Sequence, residues 1–414
     1  MNDRTAWFTK ARFGLFIHWG LSSFRGCGVW GRFEQKIPQA EYEADALKFD
    51  PKGFDPESWA EMAWNAGMRY VVFTTKHHEG FCMYDSRYTD FKITNAPYGK
   101  DITRMLTEAF RKKGFRIGYY HSLVDWHHPD YVPCPECPAY EAEQQNPVRH
   151  DLTKYQEYLY RSVEQLLSEY GKIDILWLDY TSRFKTSSEW APERLTEMIY
   201  RLQPDILLND RLSYDKSAWL GDFLTPEISV PNHPVSIRGK FMPWETCMTL
   251  NDHWGYFRGD HNFKPWQTVA TALMNCVSRN GNLLMNIGPD PNGELPEETR
   301  RILAELAEWN KTAEPAWRGA QNARFTPPAG TLYTWKDGIL YLYLVQKPMG
   351  DILLPGLRGK IKTATLLRDG SPVRVESVWG LELLDQDEQR IRCNQAESGD
   401  IIKLELEHSC TGHG

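Results

Sequence analysis

The chain of 414 residues lacks several features that would place it in a specialised class. Its first residues, Met1–Lys10, have no apolar core of the signal-peptide type, and no apolar run reaches the length that crosses a bilayer. Eight cysteines scattered through so long a chain are too few for a disulfide framework. These absences predict a soluble, cytoplasmic protein with reduced thiols and no membrane partner.

Basic residues are also few for a protein that would bind a polyanion. The 48 Lys and Arg residues stand against 55 Asp and Glu residues, which leaves a net charge of −7. A nucleic-acid-binding protein would present a basic face, so no nucleic-acid partner is expected. Aromatic residues are abundant instead, with 16 Trp among them. Aromatic rings pack well on the apolar faces of sugars, but they also fill protein cores.

Motifs for a metal or a nucleotide cofactor are absent or incomplete. No glycine-rich dinucleotide fingerprint follows the first predicted strand, and no HExxH sequence occurs. The tandem histidines His77-His78 and His127-His128 invite a metal interpretation, but adjacent residues of a strand point to opposite faces. Cys134 and Cys137 form only half of a zinc site, within a Pro-rich segment that we interpret as a surface loop. The sequence therefore predicts no metal and no cofactor.

Short apolar runs alternate with amphipathic helical segments over roughly the first 310 residues, which is typical of an α/β fold with a parallel sheet. A (β/α)8-like barrel at residues 1–318 explains this alternation more simply than an open sheet. The region 219–250 does not divide cleanly into strands and helices. After about Pro327, short strands separated by turns predict a C-terminal antiparallel β-sandwich domain at residues 319–414.

The run Lys172–Tyr180 is apolar in its centre and stops on a carboxylate, Asp179. Chemistry in a barrel of parallel strands takes place at the carboxyl ends of the strands. Asp179 is therefore a candidate catalytic group, and the alternative is that it caps the next helix. Other predicted strands end in His18, His77 and Arg211, on the same side as Asp179 if the strands are parallel.

Hydrolysis of a glycosidic bond usually needs a second carboxylate beside the first. Three acidic residues downstream of Asp179 are candidates for it, namely Asp222, Glu227 and Glu245. Glu227 follows a proline in an irregular segment, which suits a residue that reaches over a pocket. Glu245 stands beside Trp244 in a strand-like run, which suits a buried, hydrogen-bonded role. Spacing alone does not choose among the three.

Five segments, taken in order, resemble the α-L-fucosidases of glycoside hydrolase family 29. They are FGLFIHWG (Phe13–Gly20), TTKHHEGF (Thr74–Phe81), WLD (Trp177–Asp179), WGY (Trp254–Tyr256) and NLLMNIGP (Asn282–Pro289). The resemblance runs from about Ala6 to Trp309, and the C-terminal module is similar to the sandwich domain that many members carry. It implies a retaining exo-α-L-fucosidase that cleaves terminal α-L-fucosyl linkages of glycans or glycosides without a metal.

The resemblance also implies roles for individual residues. Asp179 matches the position of the nucleophile. Glu227 is the first choice for the acid/base, with Glu245 second and Asp222 third. The residues that would bind the sugar are His18, Trp30, His77, His78, Tyr120, Trp177, Arg211 and Glu245.

One departure from the family pattern is visible. Many members have a Glu directly before the Trp of the loop after the first strand, and this chain has Val29-Trp30 there. Either Glu34 or another loop takes over that contact, or one hydroxyl is bound differently. Two other functions remain as alternatives: a sugar-binding protein without catalysis, and a hydrolase for a related sugar such as α-L-galactose. The expected partner is a fucosylated substrate, with a homo-oligomer possible.

Overall fold

A computed structural model describes residues 3–179, 187–213, 215, 219, 221–377 and 387–407. Its main element is a curled parallel sheet of seven strands in the order β5-β4-β3-β2-β1-β9-β8. These strands are β1 (Phe13–Ile17), β2 (Tyr70–Lys76), β3 (Arg116–Ser122), β4 (Ile175–Asp179), β5 (Leu207–Leu208), β8 (Glu245–Thr249) and β9 (Asn282–Ile287). The barrel-like α/β fold predicted from the sequence is confirmed.

Helices follow the strands and cover the outside of the sheet, as the alternating pattern predicts. Capping residues fix where these helices begin and end. Asp55 and Asp101 cap helix N-termini by accepting hydrogen bonds from the backbone N–H groups of Ser58 and Arg104, and Gly114 ends its helix at φ 105°. The helices are α1 (Ala6–Ala11), α2 (Gly31–Glu34), α3 (Gln39–Ala46), α4 (Pro56–Asn65), α5 (Ile102–Lys113), α6 (Tyr140–Gln145), α7 (Leu152–Glu169), α8 (Pro192–Leu202), α9 (Trp266–Val277) and α10 (Glu297–Trp317). Among the described residues, no helix has both the length and the apolar content that a bilayer span requires.

The gap between β5 and β8 is filled by residues 221–228, which are not a regular strand. Isolated parallel bridges join Asn209 to Phe223, Leu224 to Trp244, and Glu227 to Cys247. Gly221 makes the close approach possible, because a Cβ there would lie 2.5 Å from the carbonyl oxygen of Asn209. The eighth position of the barrel is therefore occupied by an irregular segment, which explains why the sequence around it did not divide cleanly.

A small hairpin and an antiparallel module complete the described structure. The hairpin is formed by β6 (Ser236–Ile237) and β7 (Lys240–Phe241). The module has a five-stranded sheet and a three-stranded sheet around one apolar core, as the β-sandwich prediction required. Its strands are β10 (Gln321–Asn322), β11 (Thr331–Lys336), β12 (Ile339–Leu344), β13 (Ile352–Pro355), β14 (Ile361–Leu366), β15 (Arg374–Glu376), β16 (Glu388–Arg392) and β17 (Ile401–Leu406).

The module is fastened to the barrel by hydrogen bonds from several elements. Trp309 of α10 donates its Nε1–H to the carbonyl of Gly399 at 2.9 Å, and Thr334 of β11 donates to the carbonyl of Ala316. Helix α10 ends at Trp317 and β10 starts at Gln321, so the chain passes from one part to the other close to residue 319. The division into domains at residues 318 and 319 stays a prediction.

Candidate active site

Asp179 is the last residue of β4, and the parallel register places it beside Ser122, the last residue of β3. Its Oδ2 accepts a hydrogen bond from the hydroxyl of Tyr120 at 2.9 Å, and its Oδ1 accepts one from Nη1 of Arg211 at 3.1 Å. The Asp179 side chain is 16% exposed, so it is reachable from outside. The alternative role as a helix cap concerns residues 180–186, which lie outside the described residues.

Arg211 binds two carboxylates at once. Its Nη1 donates to Asp179, and its Nη2 donates to Oε2 of Glu227 at 2.7 Å. Burial alone would lower the pKa of the guanidinium, but the charges of Asp179 and Glu227 and the nearby thiol of Cys247 raise it above its ordinary value. One cation therefore holds the two acids next to each other at the same end of the barrel.

Glu227 differs from Asp179 in its exposure. Its side chain is 41% exposed, and its backbone pairs with Cys247 near the end of the irregular segment that closes the barrel. Arg211 is fixed from this same segment, because it donates to the hydroxyl and the carbonyl oxygen of Thr225 at 3.0 and 3.2 Å. The irregular backbone thus delivers an acid to the rim of the site, as the proline before it had suggested.

The side chain of Glu245 is completely buried. Its oxygens accept hydrogen bonds from Nε1–H of Trp177 at 2.9 Å and from the hydroxyl of Tyr70 at 2.7 Å. Burial raises its pKa to about 7. The guanidinium of Arg211 lies over the Trp177 ring, 4.6 Å from the ring centroid. Glu245 therefore holds the indole N–H of Trp177, which is the buried, hydrogen-bonded role that its sequence context suggested.

Asp222 binds other parts of the fold, and both of its carboxylate oxygens accept hydrogen bonds. Its oxygens accept hydrogen bonds from Arg4 at 2.5 Å, from the hydroxyl of Tyr200 at 3.1 Å and from the backbone N–H of Leu208 at 3.0 Å. These partners belong to the N-terminus, to α8 and to β5. Asp222 ties these elements together, and no contact joins it to Asp179 or Arg211.

His18, His77 and His78 form a cluster of histidines at the same end of the barrel as Asp179. The ring centroids of His18 and His77 are 5.4 Å apart. His77 stacks on Tyr120, with ring centroids 5.0 Å apart and ring planes 5° from parallel. Burial lowers the pKa of His18 to about 4 and lowers the pKa values of His77 and His78 well below the ordinary value. All three rings are therefore neutral near pH 7 and can each offer one N–H group and one lone pair.

The tandem histidines do not point to opposite faces. They follow the end of β2, where the backbone turns, and their ring centroids are only 4.1 Å apart. His78 lies between Trp126 and Trp30, with centroid distances of 3.8 and 4.8 Å. The geometry of opposite faces holds only within a strand, and both histidines follow Lys76, the last residue of β2.

The second histidine pair and the CxxC segment lie outside this cluster. His127 pairs with Glu43 at 2.7 Å, and His128 packs on Tyr158. The Sγ atoms of Cys134 and Cys137 are 3.3 Å apart, and both side chains are buried. The segment 129–146 is more ordered than the predicted loop, since it contains α6.

Three residues at the site were missed by the sequence analysis. Asn286 accepts a hydrogen bond from Nδ1 of His18 at 2.6 Å and donates to the carbonyl of Trp254, whose ring lies 5.2 Å from His18. Glu79 is buried, with one oxygen 3.9 Å from Nδ1 of His77. All three stand in the segments that carry the family resemblance, which was the available signal. Glu34, by contrast, is exposed on α2.

Comparisons with known proteins agree on one family. The family model described as alpha-L-fucosidase matches residues 1–314. Human plasma alpha-L-fucosidase is 29% identical over 402 residues, which cover 89% of this chain and 82% of that protein. The structure of alpha-L-fucosidase isoenzyme 1 from Paenibacillus thiaminolyticus is 38% identical, with a TM-score of 0.93 over 98% of this chain and 99% of that one. A Thermotoga maritima alpha-fucosidase in complex with a mechanism-based inhibitor is 25% identical, with a TM-score of 0.77 over 96% of both chains.

Proposed function

The chain belongs to the alpha-L-fucosidase family and is a glycoside hydrolase, and we propose that it is a retaining exo-α-L-fucosidase that works by double displacement. The observation that carries this proposal is the guanidinium of Arg211, which binds Asp179 and Glu227 through two different nitrogens. Retaining glycosidases need two carboxyl groups about 5–5.5 Å apart. A single cation that binds both acids brings the two carboxyl groups to the same end of the barrel, as a two-carboxylate mechanism requires.

Asp179 is the nucleophile in this proposal. Its carboxylate attacks the anomeric carbon of the fucosyl unit, and the bond from that carbon to the glycosidic oxygen breaks. The hydroxyl of Tyr120 and the guanidinium of Arg211 each donate to one oxygen of Asp179. Two donors of this kind stabilise the ionised form and orient the carboxylate for attack.

Glu227 is the acid/base. It gives its proton to the departing oxygen in the first step, and in the second it takes a proton from the water that displaces Asp179. Its exposure suits this role, because the leaving group and the incoming water must both reach it. Glu245 and Asp222 are less suited, since hydrogen bonds within the fold already occupy the oxygens of both.

The neutral histidines and the aromatic residues would hold the sugar. Imidazole N–H groups of His18, His77 and His78 donate to ring hydroxyls, while Trp30 and Trp177 suit the apolar face and the methyl group. These contacts accelerate the reaction only to the extent that they tighten as the ring flattens toward the oxocarbenium-like state. We propose that Glu245 acts on the sugar indirectly, by holding Trp177 in place.

The test is the cleavage of an aryl α-L-fucoside followed by proton NMR. The first sugar released should be α-fucose, and a 2-fluoro fucoside should label the peptide that contains Asp179, as detected by mass spectrometry. Activity should survive dialysis against EDTA, because two carboxylates need no metal. Release of β-fucose first, or a label on another residue, would overturn the mechanism.

The same assay decides between the alternatives. Binding of the fucoside without turnover would favour a sugar-binding protein, and faster cleavage of the aryl α-L-galactoside would favour the related hydrolase.

A further inference from the structure

Glu79 is a buried acid that the proposed mechanism does not use. It follows His77 and His78 directly, and only 2% of its surface is exposed. Its Oε2 lies 3.9 Å from Nδ1 of His77. Both atoms are enclosed, and neither has a hydrogen-bond partner among the described residues. Enclosed polar atoms without partners are rare in folded proteins, so this pair calls for an explanation.

The cavity that the pair helps to line is too narrow for a water molecule. Glu79 and His77 line this cavity together with His18, Val29 and Thr74, and it has no room for a water-sized sphere. A hydrogen bond needs a separation near 3 Å, so a side-chain movement of about 1 Å would form one.

Three charged groups act on Glu79, namely Lys76, Asp125 and Arg32. Lys76 and Asp125 are both buried and pair with each other at 2.9 Å, so their effects on Glu79 oppose each other. The guanidinium of Arg32 lies 5.5 Å from the ring centroid of Tyr42. His78 and His18 are neutral, because burial lowers their pKa values. Burial is the main reason that the pKa of Glu79 is raised to about 7; Asp125 adds to the rise, whereas Lys76 and Arg32 oppose it. His77 stays neutral, because burial lowers its pKa well below the ordinary value.

We infer that Glu79 is a positioning residue that selects the tautomer of His77. When Glu79 is protonated, it donates its O–H to Nδ1, and the ring proton must then sit on Nε2. When Glu79 loses its proton to solvent, the ring proton moves to Nδ1 and donates to the carboxylate. One proton is released overall, and the imidazole remains neutral throughout.

The consequence lies at the other edge of the ring. Nδ1 of His77 is enclosed, and the side chain as a whole is 11% exposed, so we take Nε2 as the nitrogen that reaches the site. With Glu79 protonated, Nε2 is a donor toward a hydroxyl of the bound sugar; with Glu79 ionised, it is an acceptor. This inference rests on the proposed function only for the identity of that hydroxyl. If His77 donates to the sugar, binding weakens as the pH rises through about 7.

The direct test is nitrogen NMR of the free protein with 15N-labelled histidine, recorded from about pH 5 to about pH 9. The His77 signals are assigned by their loss in His77→Gln. We expect Nε2 to carry the proton at the low end and Nδ1 at the high end, with a midpoint near 7. Glu79→Gln should abolish this change. A His77 tautomer that stays constant with pH in the unaltered protein would overturn the inference, whether or not the variant folds.

Kinetics provide the second readout. In the unaltered enzyme, KM for an aryl α-L-fucoside should rise above about pH 7 by up to tenfold per pH unit, with little change in kcat. Glu79→Gln should remove this rise. The matched control is Glu43→Gln, which alters an acid paired with His127 at the surface and should change neither KM nor the His77 signals. A rise of KM that persists in Glu79→Gln would contradict the inference.

The NMR test needs no substrate, so it separates the two proposals. A tautomer change without turnover of the fucoside would overturn the proposed function and leave the role of Glu79 intact. Turnover with a constant tautomer would do the reverse.

Discussion

The carboxyl end of the barrel and the C-terminal β module treat charge in opposite ways. At the barrel end, the Lys76–Asp125 pair is 0% and 1% exposed, and Arg211 sits between two acids with 19% of its side chain exposed. In the module, the Lys347–Glu397 pair is 60% and 54% exposed. The interior of the module is built from aliphatic side chains such as Leu342 and Leu404.

This difference shows where the molecule tolerates the loss of stability that comes from burying charged groups. Moving charged groups out of water costs several kcal/mol per ion, and the mutual attraction of a buried pair often only offsets that cost. Among its described residues, the module has no ion pair buried at both ends, since Asp400 is 9% exposed but its partner Arg368 is 45% exposed, so the module carries less of this cost. The barrel accepts it at one end, where perturbed acids and neutral histidines are gathered, and such clustering is typical of functional sites.

The largest expected effect comes from Asp179→Ala. Loss of the nucleophile should reduce turnover of an aryl α-L-fucoside to below a few per cent of the unaltered rate, because the covalent step has no substitute. The matched control in the module is Asp351→Ala, which also removes an acid that pairs with an arginine, Arg390. Initial rates of both variants give the comparison. Substantial activity in Asp179→Ala, or a comparable loss in Asp351→Ala, would break the distinction between the two regions.

Glu227→Ala should come next. Loss of the general acid should lower kcat about 10²–10⁴-fold for substrates with poor leaving groups. Added azide should restore turnover and give an α-fucosyl azide, because azide attacks the β-linked fucosyl-enzyme with inversion and without needing a general base. Glu245→Ala serves as the comparison, and rescue by azide in that variant instead would transfer the role to Glu245.

The sequence predicted those parts of the site in which a strand ends abruptly on a polar residue. Asp179 and His18 stood out because each closes an apolar run, and the barrel followed from the alternation of such runs with helices. Arg211 was found by the same reasoning, although β5 has only two residues. There the side-chain amide of Asn209 exchanges hydrogen bonds with the backbone of Leu178 on β4 and extends the pairing.

The parts that escaped prediction depend on pairing between distant segments. Asn286 lies inside the otherwise apolar β9, where burial of all six residues hides any alternation. Residues 221–228 close the barrel through bridges to β5 and β8, which no local pattern reveals. Glu79 gave no signal of its own, because its role comes from the narrow cavity that it shares with Val29.

Leu342→Ala should destabilise the protein without affecting the chemistry. Leu342 is fully buried in the core of the module, so its truncation should cost about 2–5 kcal/mol in the free energy of unfolding. Denaturant unfolding measures this loss, and kcat measured well below the transition should stay unchanged. A fall in kcat under those conditions would show that the module shapes the site and is not merely a support.

Glu245→Gln should change how stability depends on pH. The raised pKa of Glu245 in the folded state means that its contribution is fully present below the pKa of the unfolded chain, about 4.3. That contribution is lost as the pH rises through about 7. In the variant, the fall in the free energy of unfolding between these two pH limits should be smaller by on the order of 3 kcal/mol. Part of the fall should remain, because the pKa of Glu79 is also raised to about 7. Urea unfolding at several pH values gives the slope. An identical slope in the variant would mean that Glu245 is not buried in its protonated form.

The smallest effect is expected from Lys347→Ala. An exposed ion pair contributes about 0–1 kcal/mol, because water screens both charges and the long side chains lose freedom when they pair. The change in the free energy of unfolding should therefore stay within about 1 kcal/mol and shrink further in salt, since the Debye length falls to about 3 Å at 1 M. Unfolding curves at low and high ionic strength measure both quantities. A loss of several kcal/mol that salt does not reduce would mean that the module depends on its charges much as the barrel end does, and the contrast between the two regions would disappear.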